Sequence, residues 1–163
     1  AALVDDPALL AHVLETLGQI SEDLPLVFPV HPRTRHAMAA AGLEHHRGIT
    51  VLEPMGYLDF VASQAAAKVV LTDSGGLQEE TTCLGTPCVT LREQTERPIT
   101  VTEGTNTVVG FDRDLTTAAV AAAMAHDGTP RRPELWDGHT AERIIDAIGT
   151  RVADEAWLPY ASR

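Results

Sequence analysis

The sequence predicts an α/β protein in which a parallel β-sheet is covered by helices on both faces. Two observations support this prediction. Short apolar segments of strand length alternate with segments of helical periodicity along most of the chain, which is the pattern of a parallel sheet with helical crossovers. Polar segments directly follow three of those strands, at the edge where open parallel sheets bind their ligands.

Helix and strand signals are clear in the first half of the chain. Asp5-Asp6-Pro7 begins a helix, because an acidic N-cap and a proline in the first turn favour a helix start and apolar residues follow at helical spacing. A short buried strand over Leu26 to Val30 closes at Pro32. The next predicted elements are a helix over Arg33 to Ala41 stopped by Gly42, a strand over Ile49 to Leu52, a helix over Tyr57 to Ala67 and a strand over Val69 to Thr72.

The alternation continues less regularly in the second half. The chain opens on a helix, whereas a Rossmann-like domain begins with a strand whose carboxyl end helps to form the site, so we expect part of the domain to lie upstream. The aromatic stretch Ala156 to Tyr160 either folds back on its own domain or docks on another one. The other predicted elements are helices over Leu77 to Leu84, Pro98 to Thr102, Leu115 to Ala125 and Thr140 to Ile148, strands over Pro87 to Leu91 and Asn106 to Val109, and a polar loop over Asp127 to Pro133.

Composition limits the classes of function. The 163 residues suit one domain, and 44% hydrophobic with 21% charged residues is typical of a globular protein. The net charge of −11 and the lack of a Lys/Arg cluster disfavour binding to nucleic acid or to anionic membranes. No segment approaches the roughly 20 apolar residues of a membrane span, and the N-terminus has no basic region, so we expect a cytoplasmic protein.

Neither thiols nor histidines indicate a metal or redox site. Cys83 and Cys88 lack the spacing of a CxxC motif, and we expect both to be reduced thiols in the core. His45-His46 has no carboxylate or thiolate at a convincing ligand spacing, so a solvated loop is expected there.

The segment Val69 to Glu80, VVLTDSGGLQEE, is the most informative in the chain. A strand ends in Asp73-Ser74-Gly75-Gly76 and turns directly into a helix, whose first N–H groups have no intrahelical partner and carry the positive end of the macrodipole. Such a junction binds phosphate without a Lys or Arg, and two glycines allow close approach. The alternative is a tight turn in which Ser or Asp caps the helix.

Acidic and basic residues near this junction extend the prediction to a nucleotide. One of Glu79 and Glu80 could accept hydrogen bonds from paired ribose hydroxyls, while at least one of them is expected to be an ordinary solvated residue. In the loop REQTERP, Arg97 either clamps a diphosphate or pairs with Glu93 or Glu96. His31, after the first strand, is a ligand contact or a loop residue; its position favours contact. The absence of a Walker A lysine and of GxGxxG argues against an ATPase or dehydrogenase.

Three segments in order, FPVHPRT, TDSGGLQEE and TERP, resemble the carboxyl-terminal domain of the non-hydrolysing UDP-N-acetylglucosamine 2-epimerases, from about Val4 to about Ile148. The resemblance implies the second half of a GT-B-type fold, in which two Rossmann-like domains face each other and the second holds most of the UDP. Residues 1–163 are then a single UDP-binding Rossmann-like domain, and the tail from about residue 150 could dock on a missing N-terminal domain.

The same resemblance implies roles for individual residues. Ser74, Gly75 and Gly76 match the family's diphosphate-binding serine and glycines, and Glu80 matches its ribose carboxylate. Arg97 matches the TERP arginine near the phosphates. The remaining expected contacts are Phe60 and the backbone near Met55 with uracil, and His31 close to the active site or to a second, regulatory UDP-sugar site.

The implied reaction interconverts UDP-GlcNAc and UDP-ManNAc by removal of the C2 proton, anti elimination of UDP and its return, without metal or NAD. The family's acid and base lie outside this chain, so the catalytic residues are not identified here and the chain alone should be inactive. Ile99 after TERP and the spacing of EGTNTVVG depart from the family pattern, so the resemblance specifies the nucleotide more closely than the sugar. A GT-B glycosyltransferase donor domain and a non-catalytic nucleotide-sugar binding module are the alternatives. A homodimer is possible.

Overall fold

The computed structural model describes residues 2–43, 48–125 and 131–153. Helices and strands alternate through the first two of these ranges, as predicted. Their bounds are α1 (Ala2–Asp5), α2 (Pro7–Ile20), β1 (Leu26–Pro29), α3 (Pro32–Ala40), β2 (Ile49–Leu52), α4 (Tyr57–Ala66), β3 (Val70–Thr72), α5 (Gly75–Leu84), β4 (Cys88–Thr90), α6 (Pro98–Thr102), β5 (Asn106–Val108), α7 (Arg113–Met124) and α8 (Thr140–Ala153).

The strands are parallel, but they do not form one hydrogen-bonded sheet. Among the described residues β1 pairs with β2, from Leu26 opposite Ile49 to Pro29 opposite Leu52, and β3, β4 and β5 form a second ladder. No ladder joins β1 to β3 in this part of the chain, so the expectation of a single sheet needs correction. Residue patterns predict which segments are extended; they do not predict which strand edges meet.

Helix α2 packs on both ladders and joins them. Its N-terminus forms as predicted, because the Asp6 carboxylate accepts hydrogen bonds from Ala8 N at 2.9 Å and Leu9 N at 3.1 Å. Its apolar residues divide between two buried clusters. Val13 and Ile20 pack with residues of β4 and α7, while Leu10 and Leu14 pack with Val30 and Met38.

The two faces of β4 differ in polarity. Val89 and the adjoining Leu91 lie in the apolar cluster with Val13 and Val120. Cys88 and Thr90 point to the other face, toward α5, as the period of two along a strand requires. Helices therefore cover both faces of this ladder, with an apolar interface on one side and a polar one on the other.

Most element boundaries agree with the predictions to within two residues. The largest difference is α8, which runs on to Ala153 instead of ending at Ile148. Cys88 is buried as expected, and burial raises the pKa of its thiol. Cys83 is exposed, and the prediction of a core thiol was wrong there, because its position on α5 turns the side chain away from the sheet.

Several predicted features lie outside the described residues. They are the His45-His46 loop, most of the polar loop over Asp127 to Pro133, and the aromatic stretch Ala156 to Tyr160. Within the described ranges, no helix is both long enough and apolar enough to cross a bilayer. In the same ranges, no group of three or more His, Cys, Asp and Glu residues is arranged to hold a metal ion.

Candidate functional site

The start of α5 leaves its backbone N–H groups open. Ser74 is the N-cap residue, with φ −84° and ψ 130°, but its side chain makes no capping hydrogen bond. Its own N–H donates to Thr72 Oγ1 at 3.0 Å, which turns the chain from β3 into the helix. Ser74 therefore does not act as the cap that the alternative interpretation required, and the first N–H groups of α5 remain able to bind an anion.

Open space lies over the two glycines of this turn. A Cβ on Gly75 would meet only Glu96 Oε2, at 3.9 Å, and a Cβ on Gly76 only Ser74 Oγ, at 3.9 Å. Neither glycine has the positive φ that disfavours other residues. The fold therefore does not require glycine at these positions, which is the condition expected where a ligand approaches the bare backbone.

Arg97 lies beside α5, next to Glu79. Its Nε is 3.0 Å from Glu79 Oε1. The predicted ion pair with Glu93 or Glu96 does not form; the carboxylate partner is Glu79. The Nε–H is not aligned on that oxygen and has no hydrogen-bond partner within the described ranges. Arg92 pairs with Glu96 at 3.1 Å instead. The Arg97 guanidinium is thus held beside the second turn of α5, and its side chain stays 42% exposed.

Glu80 points away from Glu79, toward α4. Its Oε2 accepts a hydrogen bond of 2.7 Å from Gln64 Nε2, and Gln64 is only 3% exposed. Phe60 lies on α4 one turn before Gln64 and therefore on the same helix face. Glu79 pairs with Arg97 while 42% of its side chain stays exposed, whereas Glu80 is held by α4.

A buried polar network connects the helix start with the Arg97 loop. Gln78 is fully buried, and its Nε2 donates to Ser74 O at 3.2 Å. Its Oε1 accepts from Thr95 Oγ1 and, at 3.0 Å, from Asn106 Nδ2. Thr95 Oγ1 in turn accepts from Arg97 N at 2.9 Å. Gln78 therefore links the turn that precedes α5 to the loop that carries Arg97.

The polar groups at the β5 end of this network also have hydrogen-bond partners. Asn106 Oδ1 accepts from Thr90 Oγ1 at 2.6 Å, and Asn106 Nδ2 donates to Thr100 Oγ1 at 3.0 Å. Thr100 Oγ1 donates to Arg97 O at 2.7 Å. Leaving one such buried group unpaired costs about 1–3 kcal/mol, so the network makes the loop conformation specific. This network was not predicted from the sequence. The only indication of it in the sequence is that polar residues occupy positions that face the sheet.

The other predicted contact residues, His31 and Met55, do not lie on α5 or on the Arg97 loop. His31 follows β1 on the other ladder and is the N-cap of α3, where its Nδ1 accepts from Arg33 N at 3.2 Å. That bond leaves the proton of the neutral ring on Nε2. Met55, half-buried, precedes α4 and its Sδ lies 3.9 Å from Ser63 Oγ. The structure thus groups Ser74, Gly75, Gly76, Glu80 and Arg97 around α5, and places Phe60 on the neighbouring helix.

Comparison with known proteins identifies the family of this chain. The family model described as UDP-N-acetylglucosamine 2-epimerase matches residues 1–149. A UDP-N-acetylglucosamine 2-epimerase of Methanocaldococcus jannaschii is 36% identical over 148 residues, 87% of this chain and 40% of that protein. A UDP-2,3-diacetamido-2,3-dideoxy-D-glucuronate 2-epimerase of Pseudomonas aeruginosa is 40% identical over 145 residues, 88% of this chain and 40% of that protein.

A solved structure supports the same assignment. The crystal structure of the M. jannaschii UDP-GlcNAc 2-epimerase in complex with UDP-GlcNAc and UDP superposes with a TM-score of 0.83 and 35% identity, over 92% of this chain and 43% of that one. The chain thus spans about 40% of the length of these relatives, which fits one half of a two-domain GT-B fold. This chain belongs to the UDP-N-acetylglucosamine 2-epimerase family.

Proposed function

We propose that this chain is the UDP-binding half of a UDP-GlcNAc 2-epimerase, which interconverts UDP-GlcNAc and UDP-ManNAc by elimination and return of UDP. The observation that carries this proposal is the start of α5, where no side chain caps the helix and open space lies over Gly75 and Gly76. Backbone N–H groups there suit a diphosphate, and the Glu80 carboxylate, one helical turn on, suits the paired hydroxyls of a ribose.

Each residue of the site has a role in this proposal. Ser74, Gly75 and Gly76 bind the diphosphate, and the Arg97 guanidinium neutralises charge on its oxygens. Elimination leaves negative charge on the β-phosphate, so the helix dipole and Arg97 stabilise the leaving group as it departs. Glu80 binds the ribose. The base contacts are Phe60 and the backbone near Met55, while His31 lies near the active site or a regulatory UDP-sugar site.

Proton transfer at C2 needs an acid and a base that flank the sugar. We place those groups on the part of the relatives' length that these 163 residues do not span, so residues 1–163 alone bind UDP and do not catalyse. In this scheme the reaction requires no metal or other cofactor. The complete two-domain enzyme works in the cytoplasm as an isomerase of polysaccharide biosynthesis, as a monomer or as a homodimer. The P. aeruginosa relative is named for a different UDP-sugar, which makes the nucleotide the firmer part of the assignment.

Two other functions involve the same site. A GT-B glycosyltransferase donor domain would also hold a UDP-sugar at a strand–turn–helix junction, but the family match favours the epimerase. A non-catalytic nucleotide-sugar binding module would bind the same ligand without any reaction. An exchange experiment in deuterated water with a protein that carries both domains distinguishes the three functions. Only an epimerase introduces solvent deuterium at C2 of UDP-GlcNAc.

Calorimetry with UDP tests the binding site directly. The chain should bind UDP, and Arg97→Ala should weaken binding by about tenfold or more, since a hydrogen bond to a charged group is worth about 1.5–3 kcal/mol. Arg113→Ala, which removes an exposed ion pair between α7 and Glu15 of α2, should have little effect because neither residue belongs to α5 or to the Arg97 loop. A folded chain with no affinity for UDP would show that the site is misassigned.

Isotope exchange at C2 tests whether the acid and base lie outside these 163 residues. Incubated with UDP-GlcNAc in deuterated water, the chain alone should leave the C2 proton in place, as measured by NMR. The same experiment with a two-domain relative is the positive control. Exchange catalysed by this chain alone would mean that the acid and base lie within it.

A further inference from the structure

Gln64 is buried between α4 and α5, next to the proposed ribose carboxylate. Its side chain is 3% exposed, and its Nε2 donates to Glu80 Oε2 at 2.7 Å. Its backbone carbonyl accepts from the buried Thr86 Oγ1 at 3.1 Å, which fixes this turn of α4 against the segment between α5 and β4. The amide is therefore presented to Glu80 from a rigid position.

Chemistry determines how this amide is oriented. An ionised carboxylate only accepts hydrogen bonds, so the amide nitrogen faces Glu80 and the amide oxygen turns away from it. That oxygen, Oε1, is buried and has no hydrogen-bond partner in the described part of the chain. An apolar side chain of similar size would avoid an unpaired buried acceptor, so packing alone does not call for glutamine at this position.

We propose that Gln64 is a positioning residue for ribose recognition. By occupying Oε2, it holds the Glu80 carboxylate in one rotamer with its other oxygen directed at the ribose hydroxyls of the bound nucleotide. A glutamate fixed before binding loses less conformational entropy when the ligand arrives. Gln64 thereby sets the preference for a ribonucleotide over its 2′-deoxy counterpart. This inference rests on the proposed function, because Glu80 contacts ribose only if a nucleotide binds at the start of α5.

The ratio of UDP affinity to 2′-deoxy-UDP affinity, measured by calorimetry on the full chain, tests the inference. The wild type should prefer UDP by about tenfold, the value of one hydrogen bond to a charged group. Gln64→Met and Gln64→Leu, which keep the volume and remove the donor, should lose most of that preference, as should Glu80→Ala. In the Glu80→Ala background, Gln64→Met should change the ratio no further, since the two residues act as a unit.

Thr86→Val is the matched control. It removes a buried hydrogen bond from the same turn of α4 without touching Glu80, so it should lower the melting temperature and keep the ratio. The inference is overturned if the folded Gln64 variants keep the wild-type ratio while Glu80→Ala loses it. It also falls if neither Gln64 variant folds, because the amide would then serve the fold. A wild type that binds no UDP would overturn the proposed function itself.

Discussion

Gly75 and Gly76 differ physically from the glycine that ends the same helix. Gly85 has φ 77° and terminates α5 in the left-handed conformation, where a Cβ is disfavoured. Gly75 and Gly76 have no such conformation, and an added Cβ would meet one side-chain oxygen at 3.9 Å. Glycine thus permits a left-handed backbone conformation at residue 85, whereas at residues 75 and 76 it leaves open space over the helix start.

Replacing Gly76 should separate stability from binding. Gly76→Ala should leave the melting temperature unchanged or raised, because alanine in a compatible helical position stabilises by about 0.4–1 kcal/mol. The same methyl group should reduce UDP affinity by about tenfold, because it keeps a phosphate from the N–H groups. Thermal unfolding and calorimetry measure the two effects.

Gly149→Ala in α8 is the control, since a Cβ there would meet nothing within 4 Å and a Cβ on Gly76 would meet only Ser74 Oγ, at 3.9 Å. It should have a similar effect on stability and none on UDP binding. Unchanged UDP affinity in Gly76→Ala would mean that the phosphate does not approach this turn.

At the scale of elements, the site depends on two segments that are held in register by side chains. The turn before α5 and the loop before α6 are joined through Gln78, Thr95 and Asn106, whose polar groups are paired with one another in the interior. Backbone N–H groups on one segment and the Arg97 guanidinium on the other would bind the same diphosphate. The network therefore determines how far the start of α5 lies from the Arg97 loop.

Removing the Thr95 hydroxyl should uncouple those segments. Thr95→Val deletes the acceptor of Arg97 N and a donor to Gln78. We expect UDP affinity to fall about tenfold while UMP affinity falls less, because the β-phosphate depends most on the loop. Thr95→Ser retains the hydroxyl and should restore the UDP-to-UMP ratio measured by calorimetry.

A buried threonine outside the site provides the comparison. Thr116→Val removes a hydroxyl that donates to Asp112 O at 2.6 Å on α7. It should lower stability without changing the UDP-to-UMP ratio. An equal loss of both affinities in Thr95→Val would show that the hydroxyl serves the fold in general and has no particular role at the phosphates.

At the scale of the whole molecule, packing is uneven. Val120 of α7 is 6% exposed and lies in the apolar cluster with α2 and β4. On α8, Ile144, Ile145 and Ile148 are 52%, 70% and 56% exposed. The buried apolar clusters of the described residues therefore involve α2, α3, α7 and the strands, while the apolar side chains of α8 contribute little in this chain.

That difference predicts unequal costs of substitution. Val120→Ala should lower the free energy of unfolding by about 2 kcal/mol, from roughly 0.8 kcal/mol per buried methylene group and the cavity that remains. Ile145→Ser should change it by less than about 0.5 kcal/mol, because an exposed side chain loses no burial. Urea denaturation measures both. A loss in Ile145→Ser as large as that in Val120→Ala would show that α8 packs against the domain in solution.

The alternation of elements, the helix start at Asp6-Pro7 and the strand–turn–helix junction at Ser74 to Gly76 were all predictable from the sequence. These features depend on residues adjacent in the chain, through hydrophobic period, capping chemistry and glycine content. The division of the strands into two ladders was not predictable, because pairing depends on edges brought together from distant segments. The exposure of Cys83 was also missed, since it depends on which face of α5 meets the sheet.

The sequence by itself determined that a strand–turn–helix junction with a carboxylate nearby exists in this protein. Only the tertiary structure decided that Glu79 holds Arg97, that Gln64 holds Glu80 and that Gln78 ties the helix start to the Arg97 loop. Local conformation follows from short-range sterics and backbone hydrogen bonding. These side-chain partners lie as far as 18 residues apart, and they meet only when helices pack on the strands.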